Sequence, residues 1–191
     1  MNVFARVHGR PRRAALMLAT LSGAAAIVAG AALPAAADAP AGNHVYQIYT
    51  SAGLLMDLAQ PPVGYVTQNA FTGSSTQDWT FVPVPGQPNA YQLENYATHN
   101  CVYFEQSTLY PDYGSVFQET CTQFSSDEWF FVAATPGSPY TTYSIQSVEA
   151  PNFAITSFPS LNSGAYLEAR VLDGAGVAGS DQSFGLFDLA G

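Results

Sequence analysis

Apolar and polar residues alternate with a period of two in short runs along most of this chain, as in Tyr91-Gln92-Leu93-Glu94, Tyr143-Ser144-Ile145-Gln146 and Asp78-Trp79-Thr80-Phe81. Such alternation turns successive side chains to opposite faces of a pleated ribbon, one toward a core and one toward water. It predicts strands at 45–49, 54–58 and 64–68, then at 91–95, 101–105 and 115–119, then at 143–147, 153–157 and 165–171. An aromatic-bearing strand closes each set, so about four strands fall in each of three groups. Clusters of turn formers separate them, among them Gln60-Pro61-Pro62, Pro85-Gly86-Gln87-Pro88, Pro136-Gly137-Ser138-Pro139 and Asn162-Ser163-Gly164. No segment after the first 37 residues keeps a helical period.

The groups are copies of one another. Gln77-Asp78-Trp79-Thr80-Phe81, Asp127-Glu128-Trp129-Phe130-Phe131 and Gln182-Ser183-Phe184-Gly185-Leu186 end them, and Tyr46-Gln47-Ile48, Tyr91-Gln92-Leu93 and Tyr143-Ser144-Ile145 open them. Openings and endings recur together, so the repeat is a whole folding unit of about fifty residues, too small to bury its own apolar face.

Three such units, each closing in Gln-x-Trp or a degraded form of it, resemble the ricin B-type β-trefoil lectins. Gln77-Asp78-Trp79 is intact, whereas Asp127 replaces Gln in the second unit and Phe184 replaces Trp in the third. The resemblance implies an all-β trefoil of about twelve strands over residues 44–191, with repeats at about 44–88, 89–139 and 140–191. Trp79, Trp129 and Phe184 are then core markers where the units meet. It also implies a disulfide between Cys101 and Cys121, the only cysteines of the chain. The alternative, two buried free thiols, suits an exported chain less well. Leu55 and Phe71 stand at the equivalent positions of the first unit, and as apolar residues they are expected to face inward.

The family grips sugar with a carboxylate two residues after the first cysteine position, an aromatic ring two residues before the second, and an amide at or beside the Gln of Gln-x-Trp. By resemblance Asp57 is the carboxylate and Gln77 the amide of a first-unit carbohydrate site. Asn69 stands where the ring belongs, with Thr67 two residues before it, so stacking must come from Tyr65, Phe71 or a loop. In the second unit Tyr103, Glu119 and Asp127 occupy the three places. In the third, Thr156 or a neighbour stands for the carboxylate and Ala169 for the ring. Against binding, Asp57 reads as a strand-end aspartate bonded to a turn or to water, and Gln77 as a structural hydrogen bond closing its repeat. The insertion 106–113 adds Tyr110 and Tyr113 on a proline-shaped loop, a surface suited to polysaccharide or protein, unless the rings pack on the barrel rim. Tyr96 and Phe158 are weaker candidates of the same kind.

Arg6, Arg10, Arg12 and Arg13 precede an apolar run from Ala14 to Leu33, and Pro34-Ala35-Ala36-Ala37 then offers the small residues of a cleavage site. Residues 1–37 are therefore expected to be a secretory signal peptide and 38–43 a short linker, which makes the protein extracellular. A twin-arginine route and an uncleaved anchor are the weaker alternatives. Loss of that segment leaves fourteen acidic residues against a single strong base, Arg170, and there is no lysine. Nucleic acid and anionic membrane surfaces are excluded as partners, because both demand basic residues. Arg170 is expected to pair with Glu168 or another carboxylate.

No cofactor is called for. With only His44 and His99 beyond the signal segment a four-ligand zinc site is not expected. No Gly-x-Ser-x-Gly elbow, His-Glu-x-x-His helix or lysine-bearing Gly-x-x-x-x-Gly-Lys phosphate loop is present. A non-enzyme is expected, with the first repeat opening about ten residues after the cleavage site and no room left for a catalytic domain. The leading partner is a glycan or polysaccharide. A secreted protein partner, or a role as a protease-inhibitor module using trefoil loops, is the alternative.

Overall fold

The computed structural model describes residues 39–59, 64–122, 128–134, 141–158, 163–172 and 179–190. The expected signal segment, and Asp127, lie outside them. Of Trp129 only the backbone is described, and its expected place as core marker belongs to Phe130: Tyr91 pairs with Phe130 as Tyr46 pairs with Trp79, and Phe130 is buried in the core.

Among the described residues thirteen strands form one antiparallel network. The first unit supplies β1 (Val45–Tyr49), β2 (Leu55–Leu58), β3 (Val66–Asn69) and β4 (Asp78–Pro83). The second supplies β5 (Ala90–Asn95), β6 (Asn100–Gln106), β7 (Tyr113–Thr120) and β8 (Trp129–Ala134). The third supplies β9 (Tyr143–Ser147), β10 (Phe153–Thr156), β11 (Ala165–Tyr166), β12 (Glu168–Val171) and β13 (Gly185–Asp188).

Following the pairings closes a six-stranded barrel. β1 pairs with β4, β4 with β5, β5 with β8 and β8 with β9, while β13 returns to β1. The last seam is a single bridge between Tyr143 and Phe184, whose amides and carbonyls exchange hydrogen bonds of 2.8 and 2.9 Å. Closure removes the free edges that an open sheet would present. The remaining strands make one hairpin per unit, β2–β3, β6–β7 and β10–β12. The three hairpins join through a bridge from Tyr65 to Phe117, through β7–β12 and through β3–β11. The pattern is a pseudo-threefold.

The expected strand at 165–171 is broken. Leu167 leaves the ladder and donates its amide to the Val66 carbonyl at 2.9 Å, so β11 pairs with β3 of the first unit and β12 with β10 of its own. Leu167 is fully buried, and burying it breaks the period-two pattern locally.

Inward-facing residues of all three units share one core that includes Ile48, Met56, Trp79, Phe81, Leu93, Phe104, Phe153 and Ile155. Trp79 and Phe184 are fully buried, as their role as markers requires. The Trp79 indole also donates to the Met56 carbonyl at 3.0 Å, which ties the barrel to the first hairpin. Tyr46 and Tyr91 flank Phe81 edge-on at 5.3 and 5.7 Å. Their hydroxyls meet the chain just before the barrel: Tyr46 accepts from the Ala41 amide at 2.9 Å, and Tyr91 donates to the Pro40 carbonyl at 3.2 Å. Burial pushes both phenols above their usual range. On β7, Gly114 leaves room for the Phe104 ring, which any β-carbon there would strike.

Cys101 and Cys121 are joined as a disulfide with their α-carbons 4.8 Å apart. The first unit departs from expectation. Leu55 is buried, but on the Asp57 face of its strand and not the Met56 face that enters the core, and Phe71 is 66% exposed, because the chain turns outward after β3 toward the polar turn at 72–77.

Candidate functional site

Three of the four first-unit candidates meet on one hairpin because they alternate along its strands. Asp57 on β2 lies directly across from Thr67 on β3, and Asn69, two residues on, shares that face. The fourth arrives by a tight turn. Ser74 caps a single 3₁₀ turn, Ser75–Gln77, which swings Gln77 under the hairpin.

Hydrogen bonds knit the four together. Asp57 Oδ1 accepts the Leu58 amide at 2.7 Å, and Oδ2 accepts Asn69 Nδ2 at 3.0 Å and Gln77 Nε2 at 3.2 Å. The Thr67 hydroxyl donates to the Asp57 carbonyl at 3.3 Å and accepts from Asn69 Nδ2 at 3.2 Å. Gln77 also donates to the Ala70 carbonyl and accepts the Thr72 amide and hydroxyl. Asp57 is only 6% exposed and Gln77 is fully buried. Both are therefore structural as well as candidate ligands. A carboxylate offers about four acceptor directions, of which three are used here.

Above this network lies an open cleft of about 470 Å³, floored by Asp57, Thr67 and Asn69 and walled by Thr72, Ser74, Thr76 and Ser163. Its other rim is Tyr166, 52% exposed. Tyr166 comes from the third unit and pairs with Thr67 across the β3–β11 seam. An aromatic ring therefore does border the first-unit site, supplied by the opposite end of the domain. Tyr65 packs beside it, with ring centroids 4.8 Å apart and planes tilted by 45°, while Phe71 does not line the cleft. Sequence reading missed Tyr166 because no pattern within one repeat encodes a contact between the first and third. The one signal was a tyrosine beside the period break at Leu167.

Tyr110 and Tyr113 stand apart from this cleft. Ser107 Oγ accepts the Leu109 and Tyr110 amides, and the loop presents Leu109 at 81% exposure and Tyr110 at 64%. Tyr113 turns instead to the third unit, where the Arg170 guanidinium lies between its ring at 4.8 Å and that of Phe158 at 4.7 Å. Arg170 also bonds Glu168 at 3.1 Å, the ion pair expected of it.

Register corrects two assignments. Ala154 pairs with Arg170 as Leu55 pairs with Asn69, so Arg170 holds the third-unit place given to Ala169, whose side chain is buried in the core. In the second unit the buried Glu128 accepts the Thr122 amide, the service that Gln77 performs for Thr72. Among the described residues, no group of three or more His, Cys, Asp or Glu side chains is placed to hold a metal ion. No helix among them is long and apolar enough to cross a membrane.

Solved structures with this arrangement decide the fold. A designed threefold-symmetric protein, ThreeFoil, superposes with a TM-score of 0.62 at 18% identity, over 76% of this chain and 99% of its own. The fold is a β-trefoil. The Rhizoctonia solani agglutinin matches at TM-score 0.60 and 14% identity, over 80% of this chain and 99% of that one. The Polyporus squamosus lectin, solved with the epitope Neu5Acα2-6Galβ1-4GlcNAc, matches at 0.60 and 14%, over 78% of this chain and 50% of that one. No protein-family model matches the chain, and no curated protein sequence does either.

Proposed function

We propose that this trefoil is a secreted, non-catalytic carbohydrate-binding protein of the ricin B type, with altered sugar specificity, that holds a sugar in the first-unit cleft. One observation carries the reading: a polar floor of Asp57, Thr67 and Asn69 faces the exposed ring of Tyr166 across an open cleft. Sugars present hydroxyls along one edge and a patch of C–H groups on the flat of the ring, so they need this pairing of acceptors with an aromatic face. The lectins among its structural neighbours support the same reading, as does the apolar, small-residue-terminated segment at the N-terminus.

The test is retention of the purified protein on a panel of soluble and insoluble glycans, with Tyr166→Ala beside the parent. Tyr166 is exposed, so its loss is expected to abolish retention while leaving the melting temperature unchanged. Undiminished retention by that variant removes the site, and silence of the folded parent across the panel removes the function.

A second reading rests on Leu109 and Tyr110, apolar and exposed on a loop pinned by Ser107. If the trefoil acts through that loop on another secreted protein, replacing 107–112 with a short turn abolishes capture of that protein and spares glycan retention.

A further inference from the structure

The first-unit cleft does not end at Tyr166. Residues directly opposite on neighbouring strands, and residues two apart on one strand, share a face of a sheet. Thr67 is opposite both Asp57 and Tyr166. Tyr65, two residues before Thr67, is bridged to Phe117, and Phe117 is opposite Tyr103. The outer face of the joined hairpins therefore carries a row of rings running from Tyr166 through Tyr65 and Phe117 to Tyr103. Successive centroids are 4.8, 4.9 and 6.2 Å apart. Beyond Tyr103 the row opens into a second cleft of about 350 Å³ that Tyr103 itself lines together with Glu105 and Glu149.

We infer that the two clefts and the aromatic row between them form one extended groove for consecutive units of a neutral, equatorially linked polysaccharide, resting on the reading of the first cleft as a sugar site. Three features point to that occupant. The rings are spaced at steps comparable to a single pyranose, so an extended chain keeps its sugars in contact along the row. Both ends supply carboxylates, Asp57 at one and Glu105 and Glu149 at the other, which accept sugar hydroxyls. With no base among the described residues that line either cleft, and fourteen acidic residues against five basic in the chain, uronate and sulfated polymers are repelled. An arrangement of this kind crosses the boundary between units. It recognises the run of a chain, where a site confined to one repeat recognises a single residue or its end.

The experiment is calorimetric titration of the purified protein with β-1,4-linked gluco- and xylo-oligosaccharides of one to six units, and with polygalacturonate. Affinity is expected to rise with length by about threefold to tenfold for each ring engaged, and polygalacturonate is expected not to bind. Tyr103→Ala and Glu105→Ala, at the far end, should weaken the hexamers by about tenfold and leave the disaccharides unchanged, whereas Tyr166→Ala weakens both. Glu105 is exposed, so its variant keeps the test valid should loss of Tyr103 disturb the hairpin. Equal affinity at all lengths, or hexamer binding indifferent to both far-end variants, overturns the groove and leaves a single-sugar site standing. Silence of both ladders likewise overturns it, and the glycan panel then decides the wider function by itself. Preferential binding of polygalacturonate overturns the choice of a neutral ligand.

Discussion

Asp57 and Thr156 hold the same place in the first and third units, and what surrounds them is half identical and half replaced. Gln77 Nε2 reaches Asp57 Oδ2 at 3.2 Å, and Gln182 Nε2 reaches the Thr156 hydroxyl at 3.2 Å. Gln77 Oε1 takes the Thr72 amide, and Gln182 Oε1 takes the Gly179 amide. Each glutamine sits at the end of a 3₁₀ turn and leads into a barrel strand. Around that shared clasp the neighbouring groups diverge: Asn69 beside a cleft in one unit, and in the other Arg170 against two rings and paired to Glu168. The glutamine of Gln-x-Trp is thus a folding element first. On the proposed reading, a sugar site is built on it only where the hairpin adds a carboxylate and a neighbouring unit adds a ring.

The largest effect that tests this division is on stability. Trp79→Ala removes a fully buried indole and its bond to Met56, and is expected to cost about 3–5 kcal/mol. Phe184→Ala should cost a comparable amount, read by urea unfolding. A far smaller loss at Phe184 would mean that the third unit is not anchored as the first is. Removing the Cys101–Cys121 bridge, which spans a sequence separation of 20, should cost about 3 kcal/mol without touching glycan retention.

Next come the clasps themselves. Gln77→Leu leaves the Asp57 carboxylate and the Thr72 amide short of a partner, and Gln182→Leu does the same to Thr156 and Gly179. Each is expected to lower stability by about 1–3 kcal/mol. Only the first should also weaken sugar binding. Asp57→Ala behaves similarly, since the Leu58, Asn69 and Gln77 donors all converge on it. It is therefore a poorer probe of binding than the exposed Tyr166, and a Tyr166→Ala variant that lost stability but kept binding would reverse the assignment.

The contrast also shows which parts were readable in one dimension. Period-two alternation located the strands because each has one face on the core, and recurrence of Tyr-x-Ile/Leu openings and aromatic endings located the units. Asp57 and Gln77 were legible because both belong to the first repeat and to its motif. Tyr166 was not, since its position depends on where the third hairpin meets the first, a register that no local pattern records. Glu128 was hidden for a related reason: a carboxylate one residue after the motif position takes over the motif's hydrogen bond. Phe71 misled because apolarity was taken as burial, although much of any folded surface is apolar.

The smallest expected effect concerns the barrel, which all three units share, and it appears only at high pH. Tyr46 and Tyr91 are buried against Phe81, and burial is the main reason their phenols ionise less readily than in an unfolded chain. A phenol whose folded pKa is raised stabilises the fold fully below its unfolded pKa, about 10. That contribution is lost as pH rises through the folded value, because the unfolded chain then releases a proton that the folded one still holds. Stability is therefore expected to fall with increasing pH above about 10, and the slope should flatten in Tyr46→Phe/Tyr91→Phe. Lost hydroxyl bonds to Ala41 and Pro40 would lower that variant's stability near neutrality, so the slope rather than the level is the readout. An unchanged slope would show that burial of these two phenols against Phe81 does not set the alkaline limit of the fold.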